Sequence, residues 1–437
     1  MLQKLITWSE RTIPFSFYVL IFFLPISIAF VESFFGVILF CFFLKRGAIF
    51  YQDFKDSSSK SIKWTFRERL RRFIKCFKPV DNDLNLPMGF FILVNFLSVL
   101  MSQAIAVSIK GFFFKLLEQT YLYFIFIEVF KTRQQIKIFL IVFLVSATVT
   151  VMNGMVQWFS GADFIYGHHL SGGRISSTLR HSNDFGSYLL FACLLLVSLL
   201  LYNIFFVKQE TGSAQKAGLF QFANFRWHIL HVLCLIVFIS ALGLTLSRGA
   251  WLGFFAGVLF LATMFRKREI LFVCLFVIFL FVLIFSPDMV KERNLSILKK
   301  GLYENTSGRI EFWQESRNII SDFPVLGVGL NAYSQVAPKY KISWGGYPHN
   351  CYLQMAAETG LAGLFAFLWI LFAFFIVGLR NFTTVNDKFL QGALMGLLAG
   401  VFAFLIQSSV DTNLYSLQLG NLLWVMMGAS IAIQKVT

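Results

Sequence analysis

The stretch GGYPHNCYLQMAAETGLAGLFAFLWILFAFFIVG, residues 345–378, decides the fold. From Leu361 onward it is apolar and free of charge. About 20 such residues suffice for a helix to cross the hydrocarbon core of a bilayer. Pro348, His349 and Asn350, with Glu358 slightly later, crowd the mouth of this span. Polar groups at a bilayer edge cost free energy unless solvated or paired, and proteins keep them there for a use. Their use depends on the side His349 faces, so topology comes first.

The 437 residues are 57% hydrophobic and 14% charged, and 56 of them are Phe. A soluble chain would carry roughly 25% charged residues, so the composition indicates an all-α polytopic membrane protein with little soluble mass. The formal net charge of +16 reads first as cytoplasmic loops that follow the positive-inside rule, and second as an anionic ligand. Nucleic acid is not an expected partner. The six cysteines form no CxxC or similar pair, which suggests neither a disulfide framework nor a thiolate metal site. No A-x-A-like cleavage site follows the first apolar run, so that run reads as a retained span.

Apolar runs predict twelve spans, at about 14–30, 33–44, 87–107, 112–130, 136–158, 184–206, 228–246, 250–265, 270–286, 351–379, 388–409 and 414–434. Glu32 is the reason for dividing the first long run. The whole chain, 1–437, then forms one integral membrane domain. A basic loop at 45–86 and the sequence RKRE at 266–269 cast the strongest positive-inside votes, which places the N-terminus in the cytoplasm. The connections 159–183 and 287–350 face the opposite side, the latter a large loop between the ninth and tenth helices. Within it, Ile310, Trp313, Arg317 and Ile320 fall at helical spacing, as in an amphipathic helix capped by Ser307.

With that topology the unusual polar residues gather on the outer face. They are Arg174, Arg180, His181 and Asn183 from one loop, Arg248 from a turn, Arg309 and His349 from the long loop, and Asp411 from the last turn. Guanidinium forks match phosphate oxygens bidentately, so the arginines suggest an anion site. His349, placed at the first turn of its span, offers an imidazole that can accept a proton as a general base. Each residue also has a plainer reading taken alone. Arg248 could snorkel to headgroups, Arg174 and Arg180 could be solvated loop charges, Arg309 could line a polar helix face, and Asp411 could cap the last helix. The phenylalanines read as lipid-facing bulk.

SRGAWLGF (247–254), SGRIEFWQ (307–314), YPHNCYLQMAAETGLAGL (347–364) and QSSVDTNLYSLQLGNLLWVMMG (407–428) resemble the O-antigen ligase and polymerase superfamily of bacterial envelopes. His349 and Gly360 stand in that family's His-x10-Gly spacing, and Arg248 with Leu252 in its Arg-x3-Leu spacing. RISSTLRHSN (174–183) is similar to the family's R-x-S-G-T-F-x-x-P-N stretch, with Ser177 in place of the glycine and Ser182 in place of the proline. The resemblance implies a multi-pass protein of the bacterial inner membrane, a GT-C-like glycosyltransferase with its active site facing the periplasm. Its donor would be a glycan on undecaprenyl pyrophosphate and its acceptor a sugar hydroxyl of lipid A–core. The transfer would be inverting and would need no metal or other cofactor. His349 would be the base; Arg248 and Arg309 would grip the pyrophosphate; Arg174, Arg180, Asn350 and Asp411 would assist. A polymerase, a protein O-oligosaccharyltransferase and a transporter of lipid-linked glycan remain open alternatives. The last would draw on intramembrane charges such as Glu118 and Glu128.

Overall fold

The computed structural model describes residues 2–59, 65–202, 217–264, 309–340 and 346–436, and these are overwhelmingly helical. The elements that frame the argument are α1 (Leu2–Phe23), α2 (Ile28–Ser59), α3 (Phe66–Phe77), α4 (Asn85–Leu100) and α5 (Ile105–Gly111). A π-turn at Phe112–Leu116 joins α5 to α6 (Leu117–Val129). Then come α7 (Arg133–Ser160), α8 (Ser182–Tyr202), α9 (Ala217–Leu244), α10 (Arg248–Met264) and α11 (residues 309–322). The chain closes with α12 (Cys351–Asn381), α13 (Lys388–Ser408) and α14 (Leu417–Lys435).

Six described helices are long and apolar enough to cross a membrane, and three shorter apolar helices accompany them. The expected span at 270–286 lies outside the described residues. Local chemistry sets several ends. Thr132 and Gln135 form a reciprocal capping box at the start of α7, and Gly161 closes that helix at φ +84°. Asp387 caps α13. In both caps a side-chain oxygen takes a backbone N–H that the helix itself leaves unpaired.

The first expected helix break is displaced. It falls at residues 24–27, around Pro25, rather than beside Glu32. Proline ends a helix by steric exclusion of the residue before it, whereas Glu32 is tolerated inside α2 through a hydrogen bond to Glu118. Glu118 also accepts the Asn421 amide at 2.5 Å. The expected loop from residue 45 is likewise helical as far as Ser59, and α3 follows it behind a Thr65–Glu68 capping box. Lys45 and Arg46 can stay inside the bundle because Glu10 and Glu128 neutralise them. Glu118 and Glu128 thus have partners that belong to the fold itself.

The phenylalanines are not only lipid-facing. Phe17, Phe126, Phe130 and Phe139 are fully buried. Phe126 stacks on Phe130 at 3.9 Å and meets Phe17 edge-on at 5.3 Å. Lipid tails are as apolar as leucine, so close packing of this kind, not transfer from water, holds helices together in a bilayer.

One end of the bundle collects the turns that carry the site. Tyr166 and Thr178 donate to the carbonyls of Ile26 and Pro25, Gln418 to Leu24, and Ile175 N–H to Leu244. Lys45, Arg46, Arg133, Lys137 and Lys435 all find partners at the other end.

Candidate functional site

α12 is two helices in one. At Gly360 the backbone turns to φ +70°, ψ 179°, and helical geometry resumes afterwards. A Cβ at Gly360 would lie 2.0 Å from the Val325 carbonyl oxygen, so only glycine allows this close approach. The chain after α11 fills the break. Leu361 N–H donates to Pro324 O at 2.8 Å, Val328 N–H to Ala357 O at 3.0 Å and Gly329 N–H to Glu358 O at 2.8 Å. The Glu358 carboxylate accepts from Asn331 N (2.8 Å), Tyr333 N (3.4 Å) and Gln354 Nε2 (3.1 Å). Lys115, which lies within electrostatic reach of Glu358, bonds Asn331 Oδ1 and the Tyr415 carbonyl. Glu358 is therefore a fixture of the scaffold that binds the long loop to the bundle.

That scaffold sets the segment before α12. Asn350, not His349, is the first cap residue: its Oδ1 accepts Tyr352 N and Leu353 N, each at 3.0 Å. His349 therefore precedes the helix instead of sitting in its first turn, and Asn350 commits its side-chain oxygen to the cap. His349 adopts φ +46°, a left-handed conformation that costs roughly 1–2 kcal/mol for a residue with a Cβ. The neighbours hold it there. Trp313 Nε1 donates to Pro348 O at 2.8 Å, and Cys351 Sγ–H points to Asp411 O at 3.1 Å.

His349 Nδ1 lies 3.8 Å from Asp411 Oδ1 and is enclosed with no hydrogen-bond partner among the described residues. Asp411 does not cap the last helix, since Ser416 occupies that position. Its Oδ1 instead accepts the N–H of Thr412 at 2.8 Å. Asp184, at the start of α8, is close enough to Asp411 and His181 to feel their charges. The sequence RHSND carried that signal unread.

The arginines divide by role. Arg248 opens α10 as an exposed residue, directly after a turn in which Leu246 has φ +49°. A Cβ on the adjacent Gly249 would be 2.9 Å from Val410, so the start of α10 abuts the turn that bears Asp411. Arg174 is largely a strap, with Nε to Thr245 O at 2.8 Å and Nη2 to Asn183 Oδ1 at 2.5 Å, which tie the 161–181 loop to the turn before α10. Arg180 is exposed beside the start of α8. Arg309 shares one helical face with Phe312 and Trp313, at i+3 and i+4. Phe312 meets the His349 ring edge-on at 6.3 Å, so α11 packs against the histidine.

α11 differs from expectation in its buried stripe, which is Glu315, Ser316 and Ile319, while Trp313 and Arg317 are exposed. Ser307 lies outside the described residues. The sequence reading also missed Asp163, which orders the 161–170 loop. Burial raises its pKa, but the N–H groups of Tyr166 and His168, the Asn153 amide and the Ile165 N–H outweigh burial and hold it below the ordinary value of 3.8.

Residues 232–368 match the O-antigen ligase family model. The match takes in Arg248, Arg309, His349 and Asn350; Arg174, Arg180 and Asp411 fall outside it. A comparison with curated proteins finds no match.

Proposed function

From the O-antigen ligase domain that this chain carries across residues 232–368, we propose a glycan transfer on the periplasmic side of the inner membrane. A glycan moves from undecaprenyl pyrophosphate to a sugar hydroxyl of lipid A–core. The observation that carries this reading is the Asp411 carboxylate 3.8 Å from His349, with α11, the helix that bears Arg309, packed against the histidine through Phe312.

With Nδ1–H directed at Asp411, Nε2 of His349 receives the proton of the acceptor hydroxyl. The hydroxyl oxygen forms a bond to the anomeric carbon. The bond from that carbon to the pyrophosphate oxygen breaks, and its electron pair leaves with undecaprenyl pyrophosphate. Single displacement inverts the anomeric centre. Arg248 and Arg309 stabilise the growing negative charge with preorganised guanidinium donors, a role in which each donor counts for several kcal/mol. Arg174 orients the loop and turn that carry Asn183 and Thr245, and Arg180 adds positive charge at the rim.

Purified protein reconstituted with lipid-linked glycan and lipid A–core, with EDTA present, tests the reaction. Transfer that persists in EDTA and fails in His349→Ala supports the metal-independent base mechanism; strict dependence on a divalent ion contradicts it. A deletion strain separates ligase from polymerase. Bare core with long polymer left on its lipid carrier marks a ligase, and core bearing one repeat marks a polymerase.

A further inference from the structure

Three aromatic side chains are tied to the segment that carries His349, Phe312 through the His349 ring itself, Trp313 through Pro348 and Tyr347 as part of that segment, and the transfer chemistry leaves them without a task. Tyr347 and Trp313 keep 45% and 38% of their surface exposed. Tyr347 is backed by Tyr333, whose ring lies 6.4 Å away at 25° and is itself fully buried. The Tyr333 hydroxyl shares a 2.8 Å hydrogen bond with Ser316, so the support is fixed. Trp313 is fixed by its bond to Pro348 O. Phe312 occupies the space where Gly346 lacks a side chain, since a Cβ there would stand 2.7 Å from the Phe312 ring. The aromatic wall and the histidine are therefore mutually registered.

Rigid exposed rings beside a polar group that exchanges protons suit a ligand with an apolar C–H face and hydroxyl edges. A pyranose has that form. Binding sites of this kind combine aromatic walls with a few convergent polar groups, here His349 and the Arg309 on the same helical face. Interfacial aromatics can also anchor a protein in headgroups, but here Phe312 meets the His349 ring, Trp313 bonds the carbonyl of the adjoining Pro348 and Tyr347 lies two residues before the histidine.

We propose that Tyr347, Trp313 and Phe312 form the aromatic wall of a sugar subsite that seats the acceptor pyranose with its attacking hydroxyl at His349. The choice of acceptor rests on the reading of His349 as base; the sugar-binding surface does not. The probe is core oligosaccharide released from lipopolysaccharide by mild acid, titrated against the purified full chain in detergent and followed by saturation-transfer NMR of the sugar protons. The wild-type chain binds. Tyr347→Phe, which keeps the ring, binds like wild type. Tyr347→Leu and Trp313→Leu, on separate segments, each weaken binding about tenfold, the scale of one lost aromatic contact. Unchanged affinity in both leucine variants, or no binding by the wild-type chain, overturns the subsite. Retained transfer by His349→Ala would remove the base while the binding result stood.

Discussion

His349 Nδ1 faces Asp411 Oδ1 across 3.8 Å, the histidine side chain 42% exposed and the aspartate 11%. The gap is too long for a hydrogen bond. Catalytic hydrogen bonds often close only when substrate arrives, and a nearly enclosed carboxylate that faces an imidazole is suited to orient it.

Asp411→Asn removes the charge and keeps the shape. It should lower kcat about 10²-fold, the lower range for a general-base contribution. The double variant with His349→Ala should be no slower than His349→Ala alone, because residues that act as a unit are non-additive. Steady-state transfer by the single and double variants checks this; additive losses would show that the two residues act separately.

Arg248→Ala should slow transfer about 10²–10³-fold with little change in acceptor KM, by the scale of a lost oxyanion donor. Arg248→Lys should recover only part of the rate, since an ammonium cannot reproduce a bidentate fork. Full recovery by lysine would reduce the role of Arg248 to charge alone.

Gly360→Ala should fail to fold or should unfold at a markedly lower temperature. Its backbone, at φ +70° and ψ 179°, lies in a region essentially reserved for glycine and costs a substituted residue roughly 1–3 kcal/mol. The new Cβ, 2.0 Å from Val325 O, must also push the loop out of the break in α12. Thermal unfolding of purified protein reads the outcome, and an unchanged midpoint would contradict the packing described.

Asp163 predicts an acid-labile loop. Its folded pKa lies below the ordinary 3.8, so it contributes stability above the unfolded value, and that contribution fades as pH falls through the folded value. Asp163→Asn should be less stable than wild type at neutral pH and should converge with it in acid. Unfolding midpoints across pH measure the difference; parallel curves would refute it.

Much of the fold was legible because apolar runs announce spans without reference to neighbours. The runs at 136–158, 388–409 and 414–434 correspond to α7, α13 and α14. Residues 24–27 were misplaced because a carboxylate in an apolar run looks like an interruption, and only the bundle supplies Glu118 as the partner of Glu32. The extension of α2 past Lys45 was hidden for the same reason: Glu10 and Glu128 arrive from other helices.

Within the site, His349 and Arg248 stood out through residue type and position at the span ends, and Arg309 through its place on the expected amphipathic helix of the long loop. The work of Asn350 as a cap and Arg174 as a strap depends on hydrogen bonds across the fold, which one sequence does not display. Glu358 was noticed, but its partners Asn331 and Tyr333 come from a loop whose return into the break at Gly360 leaves no periodic trace.

The most direct measurement of the central claim is single-turnover transfer by reconstituted His349→Ala, with and without added imidazole. A general base predicts a loss of about 10²–10⁴-fold and partial recovery as imidazole rises through the vacated space beside Asp411. Transfer at the wild-type rate without imidazole would contradict the account.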